Sequence, residues 1–171
     1  MRLARVGDAQ AIAGVLVAGW RSAYAGLLPA EHLAGMSVRR HAAQHHAMIA
    51  AGGGVLVAEA GDRVVGFCTV GSPRTKGLAE GELETLYVLD DWRDRGLGRR
   101  LLQSGALHLA AQGCRSLFLW VLEDNPSRWF YERLGGRRTQ RSTTYVAGRP
   151  FLQTAYVWDP IELLTGAGTK L

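Results

Sequence analysis

Lysine is almost missing from this chain. Of its 20 basic residues only Lys76 and Lys170 are lysine, so the other 18 are arginine. Arginine presents a planar fork of donors suited to carboxylate and phosphate oxygens, where lysine presents a point charge. Cysteine is scarce as well: Cys68 and Cys114 lie far apart and form no CxxC, which sets aside a disulfide framework and a zinc site and makes a cytoplasmic location the default. No apolar run approaches the ~20 residues of a membrane span, so no membrane partner is expected. HExxH is absent, and the His41/His45 pair has no carboxylate beside it in sequence, so no metal is expected. A P-loop (GxxxxGK followed by Ser or Thr) is also absent. The net charge of +5 is spread along the chain with no basic run interleaved with aromatics; it suits an anionic ligand and gives no reason to expect nucleic acid.

What is present is an ordinary globular composition, 47% hydrophobic and 20% charged over 171 residues, enough for one domain with a real core and short for two. MRLAR before AIAGVLVAGW looks superficially like a leader, but Asp8 and Gln10 interrupt it; a short strand at 3–6 and a helix over 9–24, capped at Asp8, fit better. A second helical region follows over 30–51 and ends at three glycines. GVLVAEAGDRVVGFCTVG reads as a hairpin about Gly61-Asp62. GELETLYVL is a strand, LGRRLLQSGALHLAAQG carries a helical apolar stripe closed by Gly113, and SLFLWVL is apolar on both faces like a strand inside a sheet. NPSRWFYERLGG has Asn125 as N-cap, Pro126 at the first helical position and Gly135 past the end. Two strands about Gly148-Arg149-Pro150 close the chain. The pattern is α/β with a mixed sheet.

The densest arginine cluster is WRDRGLGRRLL, at 92–102. A strand, a glycine turn and a helix start make a phosphate-binding geometry: the first helical N–H groups lack intrahelical partners, and the helix dipole places partial positive charge there. Asp90, Asp91 and Asp94 offset most of the arginine charge, so backbone N–H groups carry most of the expected binding. GLGRRL gives GxG with Leu101 where a dinucleotide fingerprint needs its third glycine.

Arg93-Asp-Arg-Gly96-Leu-Gly98 resembles the main motif of the GNAT superfamily of acyl-CoA-dependent N-acetyltransferases, Arg/Gln-x-x-Gly-x-Gly/Ala after a strand. LWVLEDNPSRWFYERLGG resembles that family's next strand and helix, and WRSAYAGLLP recurs near the start of many members. The chain departs from the family in three places: Asp90 where proline is common, Gly136 where an aromatic is usual, and six residues from Asn125 to Tyr131 where seven is frequent.

The resemblance implies a GNAT-like fold and one N-acetyltransferase domain over 1–171. Its acceptor side would lie at about 1–54, its acetyl-CoA core at about 55–146 and a C-terminal strand at about 150–158. It implies acetyl transfer from acetyl-CoA to the primary amine of a small molecule or peptide, and, by analogy with dimeric relatives, a homodimer. Neither cysteine lies in a motif, so direct transfer is expected without a covalent enzyme intermediate. The turn (Arg93, Asp94, Arg95, Gly96, Leu97, Gly98, Arg99) would take the pyrophosphate, and backbone groups at Leu86, Tyr87 and Val88 the pantetheine and the acetyl oxygen. Asn125 would bond the pantetheine arm or an ordered water.

Tyr131 would act as the acid on the leaving thiolate, since a phenol of pKa ~10 is protonated at neutral pH. Glu82 matches the position of the family's base. Glu80, Glu82 and Glu84 alternate along one strand, which puts them on one face by period two. Tyr24, one helical turn after Trp20, and Glu84 would touch the acceptor. The alternative is an acyl-CoA-binding or sensing domain of the same fold without turnover.

Overall fold

The computed structural model describes residues 1–166; Lys170 and the end of the expected 1–171 unit lie outside them. In chain order the elements are β1 (Arg2–Leu3), α1 (Ala9–Ala23), α2 (Ala30–Ala34), α3 (Val38–Ala50), β2 (Gly54–Ala60), β3 (Arg63–Gly71), β4 (Gly81–Val88), α4 (Leu97–Ala111), β5 (Leu117–Leu122), α5 (Arg128–Arg133), β6 (Arg137–Val146), β7 (Arg149–Trp158) and α6 (Glu162–Thr165). The second helical region is two helices. α2 stops at Gly35, and Ser37 restarts the helix by accepting the Arg40 N–H at 3.3 Å. Asp8 does not cap α1 with its side chain. Its carboxylate takes the Arg5 N–H and the Arg2 guanidinium, closing a 3-10 turn over Val6–Asp8.

The seven strands form one mixed sheet in the order β1-β2-β3-β4-β5-β7-β6. Strand alternation divides the apolar side chains between its faces. Val55 and Val57 of β2 join Ile12, Val15 and Leu16 of α1 on one side. Leu56 and Ala58 join Leu101, Leu102, Ala106 and Leu109 of α4 on the other. Because helices cover both faces, β2, β3 and β5 carry runs of consecutive buried residues rather than an alternating pattern. No helix among the described residues is long and apolar enough to cross a membrane.

Two features of this sheet position the site. First, β4 and β5 are parallel and pair only at Gly81↔Leu117 and Glu82↔Phe118, after which the strands diverge. β5 takes its remaining partners from β7, from Leu117↔Trp158 to Leu122↔Gln153. The sheet therefore opens as a wedge at its middle. Second, the β3–β4 register slips between Thr69↔Thr85 and Val70↔Leu83, leaving Glu84 as the extra residue of a bulge. The three alternating glutamates thus do not line one face: Glu80 precedes β4, and the bulge breaks the period at Glu84.

Candidate active site

A cleft of about 830 Å³ occupies the wedge. Its walls are β4 (83–88) and β5 (119–122), its floor at one end the arginine-glycine turn, and its flanks α5 and the end of α1.

At the turn, Gly96 stands before α4 with φ 74°, a left-handed conformation that glycine adopts without a Cβ penalty. The first intrahelical bond runs from Arg100 N–H to Gly96 C=O at 3.1 Å, so the N–H groups of Leu97, Gly98 and Arg99 have no partner inside the helix. Arg93, Asp94, Gly96, Leu97, Gly98 and Arg99 all line the cleft. A Cβ on Gly98 would stand 3.4 Å from the Phe130 ring and 3.8 Å from Leu86. It would meet no clash but would fill the slot between them. Arg95 is the one member of the turn the structure turns aside: its guanidinium stacks 4.8 Å above the Trp92 ring. Arg93 is paired with Asp90 at 2.8 Å.

Along β4, Leu89 N–H donates to Val65 C=O of β3 at 2.9 Å. Successive strand N–H groups point to opposite sides. Tyr87 N–H therefore also faces β3, while Leu86 and Val88 turn theirs to the open side where β5 has left. Of the three backbone positions expected to hold a ligand, two offer a free donor. The Tyr87 side chain lies on the α1 face, where Gly19 has no Cβ; one built there would come within 2.6 Å of the Tyr87 ring.

The wedge also lets side chains from the two faces of the sheet meet. Tyr24 comes from the end of α1 and Asn125 from the turn before α5, and Asn125 Nδ2 approaches the Tyr24 hydroxyl at 3.5 Å. Asn125 is not the helix N-cap and Pro126 not the first helical residue: Ser127 stands at the cap of α5, and Asn125 closes the turn before it, Oδ1 accepting the Ser127 N–H at 2.9 Å and its carbonyl the Arg128 N–H at 3.2 Å. The helix proper begins only at Arg128, so the six-residue step from Asn125 to Tyr131 comprises a tight turn and the first four residues of α5. Both residues line the same cleft.

Tyr131 is buried against Tyr156 and Trp158 (ring centroids 6.2 and 6.3 Å apart), and its hydroxyl makes no hydrogen bond among the described residues. Burial first, then the neighbouring Tyr24, pushes its phenol well above the ordinary value, so it stays protonated. Burial likewise raises the phenol of Tyr87.

Glu82 lies elsewhere than a base should. It is 1% exposed and does not line the cleft. Oε2 accepts the Arg74 backbone N–H at 2.7 Å and Oε1 accepts Arg74 Nε at 3.0 Å and Nη2. Arg74, by contrast, does line the cleft, and its bond to Glu82 holds the guanidinium firmly charged. Glu84, lifted out of register by the bulge, is the β4 carboxylate on the cleft wall. Sequence reasoning missed Arg74. It stands in the loop GSPRTKGLAE, in no motif, and only the fold shows that it meets Glu82.

An open wedge between parallel strands, ending at a helix N-terminus behind a glycine turn, is built to hold a long ligand with an anionic end. Residues 20–136 match the model of the acetyltransferase (GNAT) family. The chain is 30% identical over 165 residues to the uncharacterized N-acetyltransferase YuaI of Bacillus subtilis (strain 168), covering 96% of this chain and 95% of that one. Its fold is similar to the crystal structure of an N-acetyltransferase from Staphylococcus aureus Mu50, with a TM-score of 0.70 at 21% identity over 92% of this chain and 96% of that one. It is also similar to the PaiA N-acetyltransferase of Thermoplasma acidophilum, solved in complex with coenzyme A, with a TM-score of 0.65 at 18% identity over 90% and 95% of the two chains. The chain belongs to the acetyltransferase (GNAT) family, and with it to the acetyl-CoA-dependent acetyltransferases.

Proposed function

We propose that this chain transfers the acetyl group of acetyl-CoA directly to a primary amine of a small molecule or peptide. Residues 1–171 would work as one domain, with the acceptor side at about 1–54, the acetyl-CoA core at about 55–146 and the strand at about 150–158 completing the cleft. One observation carries this: the free N–H groups of the turn, the free N–H groups of β4 and the Tyr131 hydroxyl all open on the same cleft.

The residues suit the ligand. Leu97, Gly98 and Arg99 offer N–H donors at the positive end of α4 for a pyrophosphate, with Arg93 and Arg99 side chains at the rim. Leu86 and Val88 N–H would hold the pantetheine amide and polarise the acetyl carbonyl. Acetyl-CoA supplies a thioester, which an uncharged amine can attack. Tyr131 is protonated at neutral pH and donates to the sulfur as it leaves; because a thiolate of pKa ~8.5 is a weaker base than the phenolate, the transfer is uphill and relies on a hydrogen bond fixed between the two. Asn125 holds Tyr24 and the turn in place beside it. Glu84 receives the amine's proton, directly or through water. In this proposal it takes the role the motif suggested for Glu82, which instead fixes Arg74.

Release of free thiol from acetyl-CoA, followed against a panel of primary amines, tests the proposal. Thiol release matched by acetylated amine is the expected result. Binding of acetyl-CoA with no release on any amine would instead describe an acyl-CoA-binding module without turnover.

A further inference from the structure

One residue of the cleft wall, Arg74, belongs to an unusual pair. A carboxylate that is 1% exposed, Glu82, is committed to one arginine whose side chain is 62% exposed and which lines the cleft. Burying a carboxylate is costly unless its oxygens are satisfied, and among the described residues Arg74 alone supplies the bonds to both. The result is an arginine fixed at two places, its backbone N–H and its Nε–Nη2 edge. The loop that carries it is tied to the opposite strand as well: Trp120 Nε1 of β5 donates to Thr75 Oγ1 at 3.4 Å. Nη1 has no partner among the described residues. A guanidinium with one edge occupied and the other presented to a cleft is prepared for a second planar anion.

Glu84 stands on the same wall, close enough to Arg74 to raise its pKa. We infer that the acceptor is a zwitterion, a free amino acid or a close analogue: its carboxylate meets Arg74 Nη1 and its ammonium, before losing a proton, meets Glu84. With Glu82 neutralising Arg74, a plain cationic amine would also satisfy Glu84. What it would leave unmet is the Arg74 N–H groups, which a carboxylate fills. Trp20, Tyr24 and Trp120 form the remaining wall, so a side chain with apolar surface fits beside the two charges. Arg74 is then the specificity-determining residue for the acceptor, and Glu82 its positioning residue. This inference rests on the acetyl transfer proposed above.

The test compares each free amino acid with its own primary amide, which keeps the amine and the side chain and removes the negative charge. Thiol release from acetyl-CoA is measured for both members of each pair. At least one amino acid should be acetylated with kcat/KM at least about tenfold above its amide. Arg74→Gln should erase that preference by raising KM for the acid, with acetyl-CoA affinity unchanged by calorimetry. Because Arg74→Gln leaves Glu82 buried without its partner, the double variant Arg74→Gln/Glu82→Gln is measured beside it and should give the same loss of preference. Tyr131→Phe should slow acid and amide alike and keep their ratio. Equal rates on acids and amides, acetylation of amides and plain amines only, or a preference that survives both Arg74 variants would overturn the inference while acetyl transfer stands. Failure to bind acetyl-CoA would overturn the transfer itself.

Discussion

In the proposed transfer, Tyr131 concentrates the acid chemistry into one hydroxyl. It is buried, unbonded among the described residues and open to the cleft, and burial holds its phenol above the ordinary value. Tyr131→Phe keeps the ring that packs on Tyr156 and Trp158, so it should lower kcat by about 10²-fold or more while leaving the acetyl-CoA Kd within about twofold. Steady-state thiol release and calorimetry on the same preparation check both halves, and normal turnover would return the tyrosine to the core. Any alkaline fall in rate that belongs to Tyr131 should have its midpoint above ~10, since a raised phenol loses its proton later than a free one. That Tyr131 and Asn125 would lie together, as they do in lining the cleft, was legible in the sequence, because a motif places them on one short helix and the turn before it. Arg74 was not: its meaning depends on Glu82 eight residues away across a loop, and on a bulge that turns Glu84 rather than Glu82 to the cleft.

Among the elements, α4 and its turn are the proposed anion site. Gly98→Val should abolish acetyl-CoA binding and leave the thermal midpoint nearly unchanged, because the Cβ itself finds ordinary contacts at 3.4 Å and only the ligand's slot is filled. Calorimetry and a melting curve separate the two effects; unaltered affinity would refute the assignment of the turn. On the other face, α3 buries His45, whose Nδ1 bonds the His41 carbonyl at 2.8 Å and whose ring packs edge-on against Phe67 at 5.4 Å. Burial lowers its pKa, so the unfolded chain binds the proton more readily than the folded one. His45 therefore favours the folded state fully above its unfolded pKa of ~6.5, and that contribution is lost as pH falls below it toward the folded value. Urea midpoints should drop between pH 7.5 and pH 5.5, and His45→Phe should flatten that drop; an unchanged slope would exclude His45 as its source. The elements themselves were largely readable, since caps, glycines and apolar periods act locally. The break between α2 and α3 was missed because Gly35 and Ser37 sit inside a window that stays helical in composition.

For the whole molecule, the decisive event is that β7 returns to pair with β5 and separates it from β6. That pairing leaves β4 and β5 joined at only two positions and opens the wedge. No local signal announces it, because strand order is set by long-range packing rather than by any single segment. Trp158 of β7 shows the consequence: its Nε1 donates to Leu134 C=O at 2.8 Å and its ring fills the space beside Gly136. A Cβ at Gly136 would come within 2.7 Å of that ring and 2.9 Å of the Tyr131 carbonyl. Gly136→Ala should therefore destabilise the fold by about 1–3 kcal/mol through overpacking, read as a lowered urea midpoint, and should slow turnover by shifting Tyr131. A variant as stable and active as the parent would show that α5 docks without that close approach.

The central claim is that this wedge holds acetyl-CoA, and a calorimetric titration of the purified protein with acetyl-CoA tests it most directly. Saturable binding at one site per chain, lost in Gly98→Val and kept in Tyr131→Phe, is the result we expect. Absence of binding, or binding indifferent to Gly98, would contradict it.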